Sequence, residues 1–184
     1  MENIHLVGIS GSLRAGSFNT MLLKTCLELL PEGMSMELAP IHDLPLYDSD
    51  FDTPAAAERP APVIRFRDQL AKAAGLVIAS PEYNYSVPGG LKNAIDWASR
   101  GEDAPLIGKP VALMGATPGL WGTVRMQTAF LPLFQSLDMK PVYKPEILLA
   151  QASTKFDAQG ELTDKTARDL IKKKLENLKK VILS

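Results

Sequence analysis

Apolar and polar positions alternate along the chain in blocks rather than residue by residue. Five short apolar segments, at residues 4–9, 34–39, 76–79, 110–115 and 141–149, read as strands. Three of them lack polar alternation, as strands do when a parallel sheet is covered on both faces. Between them lie segments with helical apolar spacing, at 19–30, 56–74, 90–100, 123–137 and 163–183. Apolar residues at Leu170, Ile171, Leu175, Leu178, Val181 and Ile182 give the last helix one buried stripe. The run Lys172-Lys173-Lys174 then belongs to its wet face. The β-α alternation implies an α/β three-layer sandwich with right-handed crossovers. Five strands and five helices suit a flavodoxin-like parallel sheet of order 2-1-3-4-5, with helices on both faces.

Two stretches disturb the pattern. Residues 40–62 hold Pro40, Pro45, Pro54, Pro60 and Pro62 with Asp43, Asp48, Asp50 and Asp52. That is too long for a plain connector, so it is either functional or partly mobile. The α/β pattern resumes after it, which implies one domain over residues 1–184. Pro132 removes a backbone donor and predicts a kink near Thr128.

The composition narrows the classes. Lys plus Arg is 20 against 21 for Asp plus Glu, a net charge of -1. Such a chain has no basic field with which to gather nucleic acid or an anionic membrane. No apolar run approaches the ~20 residues of a membrane span. Met1 to His5 lacks the basic segment and apolar stretch of a signal peptide. With one cysteine, Cys26, no intrachain disulfide is possible, and a cytoplasmic location is the expectation. Cys26 lies among leucines and reads as a buried, inert thiol.

The chemistry concentrates in loops that follow strands. The first is Ser10-Gly11-Ser12-Leu13-Arg14-Ala15-Gly16-Ser17-Phe18-Asn19-Thr20. It opens a helix, whose unpaired amides and dipole suit an anion. Serine, threonine and asparagine side chains with one guanidinium would hold a phosphate monoester without metal. Ser17 stands where a P-loop needs lysine, and Gly8, Gly11 and Gly16 do not make a dinucleotide fingerprint. A polar loop with serine caps is the competing reading. The second loop runs from Ser80 through Pro81, Glu82, Tyr83, Asn84 and Tyr85 to Gly90. Its two tyrosines could cover a planar ring while backbone amides meet ring heteroatoms. Paired with the first loop, it favours flavin mononucleotide over an aromatic turn packed on the core. Glu82 reads as a pocket-edge or a solvent-facing carboxylate. A third loop, from Ala116 to Thr123, carries Trp121 as a lid or a surface anchor. Asp48, Asp50 and Asp52 imitate a calcium loop, but Thr53 replaces its glycine and Arg59 its final glutamate. His5 and His42 have no zinc-ligand spacing.

These residues resemble the NADPH-dependent FMN reductases of flavodoxin-like fold, a family that includes quinone, azo-dye and chromate reductases. The matching letters are Gly11-Ser12-Leu13-Arg14 with Gly16, Ser17 and Asn19, the run from Pro81 to Trp97, Gly122-Thr123 with Arg125 and Gln127, and Lys155-Phe156-Asp157 with Gly160. The resemblance covers almost the whole chain, and the second motif is highly specific. It implies FMN as cofactor, with Ser12, Arg14, Ser17, Asn19 and Thr20 at the phosphate. Pro81, Glu82, Tyr83, Asn84 and Tyr85 would border the ring and ribityl chain, and Thr117 and Gly119 would complete the pocket. Arg125 would lie at the assembly and substrate mouth of a homodimer or homotetramer. Trp121 and Pro132 depart from the family pattern.

The activity implied is a ping-pong cycle. NADPH or NADH passes hydride to the flavin and leaves, and a quinone, azo, chromate or flavin acceptor then takes the electrons. The flavin carries the chemistry, and no catalytic side chain is assigned. The alternative is an electron carrier without intrinsic NAD(P)H reductase activity, for which the charge of -1 is weak. A phosphate-ester hydrolase is a third reading, lacking Walker residues and paired metal-binding carboxylates.

Overall fold

A computed structural model describes residues 3–52 and 58–184. The strands β1 (Ile4–Ser10), β2 (Met34–Leu38), β3 (Gly75–Ala79), β4 (Pro110–Ala116), β5 (Lys140–Pro141) and β6 (Leu148–Leu149) form one parallel sheet. Its order is β2-β1-β3-β4-β5, with β6 also paired to β4. This is the predicted flavodoxin-like order. The helices are α1 (Phe18–Glu28), α2 (Ala61–Lys72), α3 (Gly89–Ala98), α4 (Val124–Ala129), α5 (Leu131–Ser136) and α6 (Lys165–Leu183).

The uninterrupted apolar strands serve two cores at once. Val7, Ile9, Leu76, Ile78, Val111 and Leu113 point to the face covered by α2, α3, α4 and α5. Leu6, Val77, Ala79, Ala112 and Met114 point to the face covered by α1 and α6. Side chains alternate across a strand, so a run buried on both sides must be apolar throughout. Cys26 lies in the second core, 3.6 Å from the Met114 sulfur, and burial pushes its thiol up to about 12. No helix among the described residues is long and apolar enough to cross a membrane.

Three boundaries differ from the sequence pattern. The second helix begins at Ala61, not near residue 56, because Pro60 and Pro62 fit only its first turn. Residues 56 and 57 lie outside the described residues. The kink expected near Thr128 falls at Phe130, which divides α4 from α5 and places Pro132 in the first turn of α5. The strand expected over 141–149 is two short pieces. Between them the carbonyls of Val142, Lys144 and Pro145 turn to side chains of α6 instead of the sheet.

Lys174 of α6 makes two of those bonds, at 2.8 Å to Val142 and 3.0 Å to Pro145, although only 2% of it is exposed. It therefore does not sit on the wet face with Lys172 and Lys173. Burial pushes its ammonium down from 10.5 to about 8. Between these two values the unfolded chain binds more protons than the folded one. Stability is therefore expected to rise with pH across that window. Denaturation midpoints from pH 7 to pH 11 check this, and Lys174→Met should flatten the rise.

The described parts of the proline-rich stretch are strapped down. Asn93 of α3 accepts from the Tyr47 amide at 2.7 Å and donates to the Pro45 carbonyl at 2.8 Å. The Trp97 indole donates to the same carbonyl at 2.8 Å. Asp48 caps the 3-10 turn Ser49–Phe51, and Asp52 pairs with Arg59. Thr53, Pro54 and Ala55 lie outside the described residues.

Candidate functional site

At the carboxyl edge of the sheet the chain leaves β1 for α1 on one side and β3 for α3 on the other. Such a reversal of strand order opens a crevice. Gly11 lets the two loops close on each other, since a Cβ there would lie 2.8 Å from Ser80 Cβ and 2.9 Å from Leu91 Cδ2. The Gly11 amide donates to the Ala79 carbonyl at 2.8 Å.

The first loop is built from its own hydroxyls. Ser10 and Thr20 share a hydrogen bond of 2.9 Å between their side chains. Ser12 Oγ accepts from the Arg14 amide at 3.3 Å. Ser17 is the N-cap of α1 and accepts from the Asn19 amide at 3.1 Å. The amides of Phe18 and Thr20 donate to no acceptor among the described residues. The positive end of α1 thus remains open to an anion. Arg14 is exposed, with one guanidinium nitrogen 3.4 Å from the Gly16 carbonyl. Asn19 differs from the sequence expectation. Its side chain is buried and engages Ala116 at both ends, accepting from the amide at 2.8 Å and donating to the carbonyl at 2.9 Å. It ties α1 to the end of β4 and supports the loop from beneath. A cleft of about 420 Å³ borders the loop on the β2 side, between Ser12, Thr20 and His42.

The second loop is a tight turn. Tyr83 and Ser86 exchange backbone hydrogen bonds of 3.2 and 3.0 Å. Asn84 and Tyr85 between them have φ of 50° and 63°, the mirror-image turn in which both central residues are left-handed. Pro81 is half-buried, and the turn leaves Tyr83 and Tyr85 exposed, Tyr85 by 70%.

Glu82 takes a role that neither sequence reading contained. Its Oε2 accepts from the amides of Arg125 at 2.9 Å and Met126 at 3.1 Å. Its Oε1 stands 3.5 Å from an Arg125 guanidinium nitrogen. α4 has no side-chain cap of its own, because Thr123 at the N-cap position is left-handed, with φ 67°. Glu82 supplies from another loop the acceptor that an N-cap residue normally supplies. No local signal could have revealed this, since the partners are 43 residues apart.

The third loop is pinned from below. Thr117 donates its amide to Leu149 at 3.0 Å, and Gly119 accepts from the Gln151 amide at 2.9 Å. The Gly119 amide meets Thr117 Oγ1 at 3.2 Å. Leu120 and Trp121 stand exposed. The Arg125 guanidinium lies 4.2 Å from the Tyr85 ring centre and 5.1 Å from that of Trp121. Thr123 is buried, and its hydroxyl has no hydrogen-bond partner among the described residues.

The donor set suits FMN. Open amides, neutral hydroxyls and one arginine match a phosphate monoester, and exposed aromatic rings on the adjoining loops match a planar tricycle. A 2-1-3-4-5 parallel sheet with these loops at its strand reversal defines a flavodoxin-like, flavin-binding protein. Comparison with known proteins then narrows the class. The family model of the NADPH-dependent FMN reductases matches residues 4–154. An NAD(P)H-dependent FMN reductase of Pseudomonas aeruginosa is 48% identical over 177 residues, covering 96% of this chain and 94% of the relative. A quinone reductase of Escherichia coli is 42% identical over 170 residues, covering 91% and 89%. The solved structure of a flavoenzyme NAD(P)H:(acceptor) oxidoreductase from Paracoccus denitrificans superposes with a TM-score of 0.86 at 29% identity, covering 97% of each chain. The chain belongs to the NADPH-dependent FMN reductase family. It is an oxidoreductase with FMN as its cofactor and NAD(P)H as its co-substrate.

Proposed function

We propose that this chain is an NAD(P)H:quinone oxidoreductase that works in ping-pong order as a single domain over residues 1–184. The observation that carries the reading is the crevice itself, an open anion loop beside one exposed aromatic wall. The net reaction is NAD(P)H + H⁺ + quinone → NAD(P)⁺ + hydroquinone. When bound, FMN supplies the two-electron relay between donor and acceptor. Ser12, Ser17, Thr20 and Arg14 hold the phosphate, and Asn19 supports them through Ala116. Pro81, Tyr83, Asn84 and Tyr85 border the ring on one side, Thr117 and Gly119 on the other. Glu82 steadies this wall by capping α4. One exposed wall supports alternating use by nicotinamide and acceptor, hence ping-pong kinetics. Azo compounds, chromate and free flavin are further acceptors that fit so open a crevice.

The names of the relatives support quinones as acceptors, and one at 37% identity, from Burkholderia, is a 2-hydroxy-1,4-benzoquinone reductase. Against a bare electron carrier stands the net charge of -1, which offers little for docking partner enzymes. A cytoplasmic homodimer or homotetramer completes the proposal, with Arg125 and Trp121 at its mouth.

Purified protein should be yellow and should oxidise NADPH or NADH with a quinone and no partner reductase. Parallel double-reciprocal lines are the expected pattern, and intersecting lines would refute the ping-pong order. Arg14→Ala should weaken FMN retention roughly tenfold by removing a charge-assisted contact. Unchanged affinity in a fluorescence titration with FMN would remove Arg14 from the phosphate site.

A further inference from the structure

We propose that Phe156 is a positioning residue for the flavin phosphate: residues 151–156 join the first loop to the third and so fix the span between the anion subsite and the ring wall. This rests on the reading of the first loop as the phosphate site and adds to it the residue that sets its place.

The segment touches both loops at once. Toward the third loop it uses backbone alone. The Gln151 amide donates to the Gly119 carbonyl and the Ala152 amide to the Thr117 carbonyl, each at 2.9 Å. Toward the first loop it uses one side chain. The Phe156 ring stacks on that of Phe18, with centroids 5.6 Å apart and planes inclined by 25°. Phe18 is the first residue of α1, and its amide is one of the two left open at the helix start among the described residues. Phe156 is buried in the core shared by α1 and α6. Its base is firm. Phe156 forms an antiparallel bridge with Leu162, and the Lys155 carbonyl accepts from the Thr163 amide at 2.8 Å. Asp157 closes the turn between them, its Oδ1 accepting from the amides of Gln159 and Glu161 at 2.9 Å each. The Lys155 ammonium lies 2.9 Å from Asp164, the N-cap of α6. The turn also reaches α1, since a Cβ on Gly160 would meet Met21 Cγ at 3.4 Å. The ring is thus held from α6 and presses on the helix whose start receives the anion. Amide hydrogen bonds and the helix dipole act over a short range, so a small shift of α1 weakens the phosphate contact. The ring wall stays in place, because the bonds to Thr117 and Gly119 do not involve the Phe156 side chain.

The test measures Kd for FMN and for riboflavin, which lacks the phosphate, by flavin fluorescence on the full chain stripped of its cofactor. The wild type should prefer FMN. In Phe156→Ala that preference should fall about tenfold, the worth of one charge-assisted hydrogen bond, with riboflavin affinity nearly unchanged. Phe18→Ala should give the same fall. The double variant should lose no more than either alone, because both single changes break one stack. Phe156→Tyr keeps the ring and should keep the preference. An unchanged preference in Phe156→Ala, an equal loss of both flavins, or additive losses in the double variant would each overturn the proposal. If Phe156→Ala does not fold, Phe18→Ala decides by the same ratio: a fall supports the proposal and an unchanged value overturns it. A wild type that binds FMN and riboflavin alike would instead refute the first loop as the phosphate site.

Discussion

Gly115→Ala is expected to destabilise the protein by ~2–3 kcal/mol, the cost of forcing a methyl group into a packed interior. It should also release FMN. The added Cβ would overlap Thr123 Oγ1 and lie 2.6 Å from the Ser80 carbonyl oxygen and 2.9 Å from Thr123 Cβ. Neither neighbour can yield easily. Ser80 is the backbone link between β3 and the second loop, and its amide is bonded to Met114 at 3.1 Å. Thr123 is β-branched, buried and left-handed, so its side chain has little room to rotate. The displacement therefore passes into both loops that wall the crevice. Thr123→Gly should moderate the damage in the double variant, because it removes the clashing atoms. Alone, it should stabilise by roughly 1 kcal/mol, since it relieves an unpaired buried hydroxyl and a left-handed β-branched residue. Urea denaturation of the four proteins of this cycle, with FMN content read in parallel, measures the coupling. A Gly115→Ala protein as stable as the wild type would refute the packing argument.

Arg59→Leu is expected to cost about 3–5 kcal/mol, because it leaves a buried carboxylate without its cation. Arg59 and Asp52 have side chains exposed by only 1% and 2%, and their ion pair is 2.6 Å. The other end of the guanidinium meets Asp103 at 2.7 and 3.2 Å. The arginine thus fastens the chain after β2 to the segment after α3. Replacing Arg59 and Asp52 together by leucine should recover much of the loss, since no unpaired charge then remains. The pH dependence has a defined sign. Hydrogen bonding from Arg59, then from Arg67, holds the Asp103 carboxyl at about 2 instead of 3.8. Its stabilisation is complete above pH 3.8 and is lost as the pH falls through 2. Asp103 is half-exposed, so solvent screens this contribution. Denaturation curves at pH 7 and through the acid range check both statements. A loss below ~1 kcal/mol at pH 7 would mean the pair is as weak as an exposed one.

The α/β alternation, the parallel sheet and its two loops of interest were legible in the sequence because each rests on neighbours in the chain. A strand covered on both faces must be an unbroken apolar run, and the buried stretch 6–9 of β1 and the whole of Gly75–Ala79 obey that rule. A serine that caps a helix lies within two residues of the amide it accepts, as Ser17 does for Asn19. The serine-rich loop after β1 and the aromatic turn after β3 were likewise readable as letters, and the family resemblance rests on them.

The tertiary structure decided what depends on contacts across long chain separations. The place of Asn19 in the loop suggests a phosphate ligand, yet Ala116, 97 residues away, takes its side-chain amide. Glu82 caps a helix that begins on another loop, and the stack on Arg125 exists only once two loops meet. The last strand divides because Lys174 and Asn177 of α6 draw its carbonyls away from the sheet. Local propensity and periodicity contain no term for a partner brought near by folding, so only the closed sheet could place these atoms against one another.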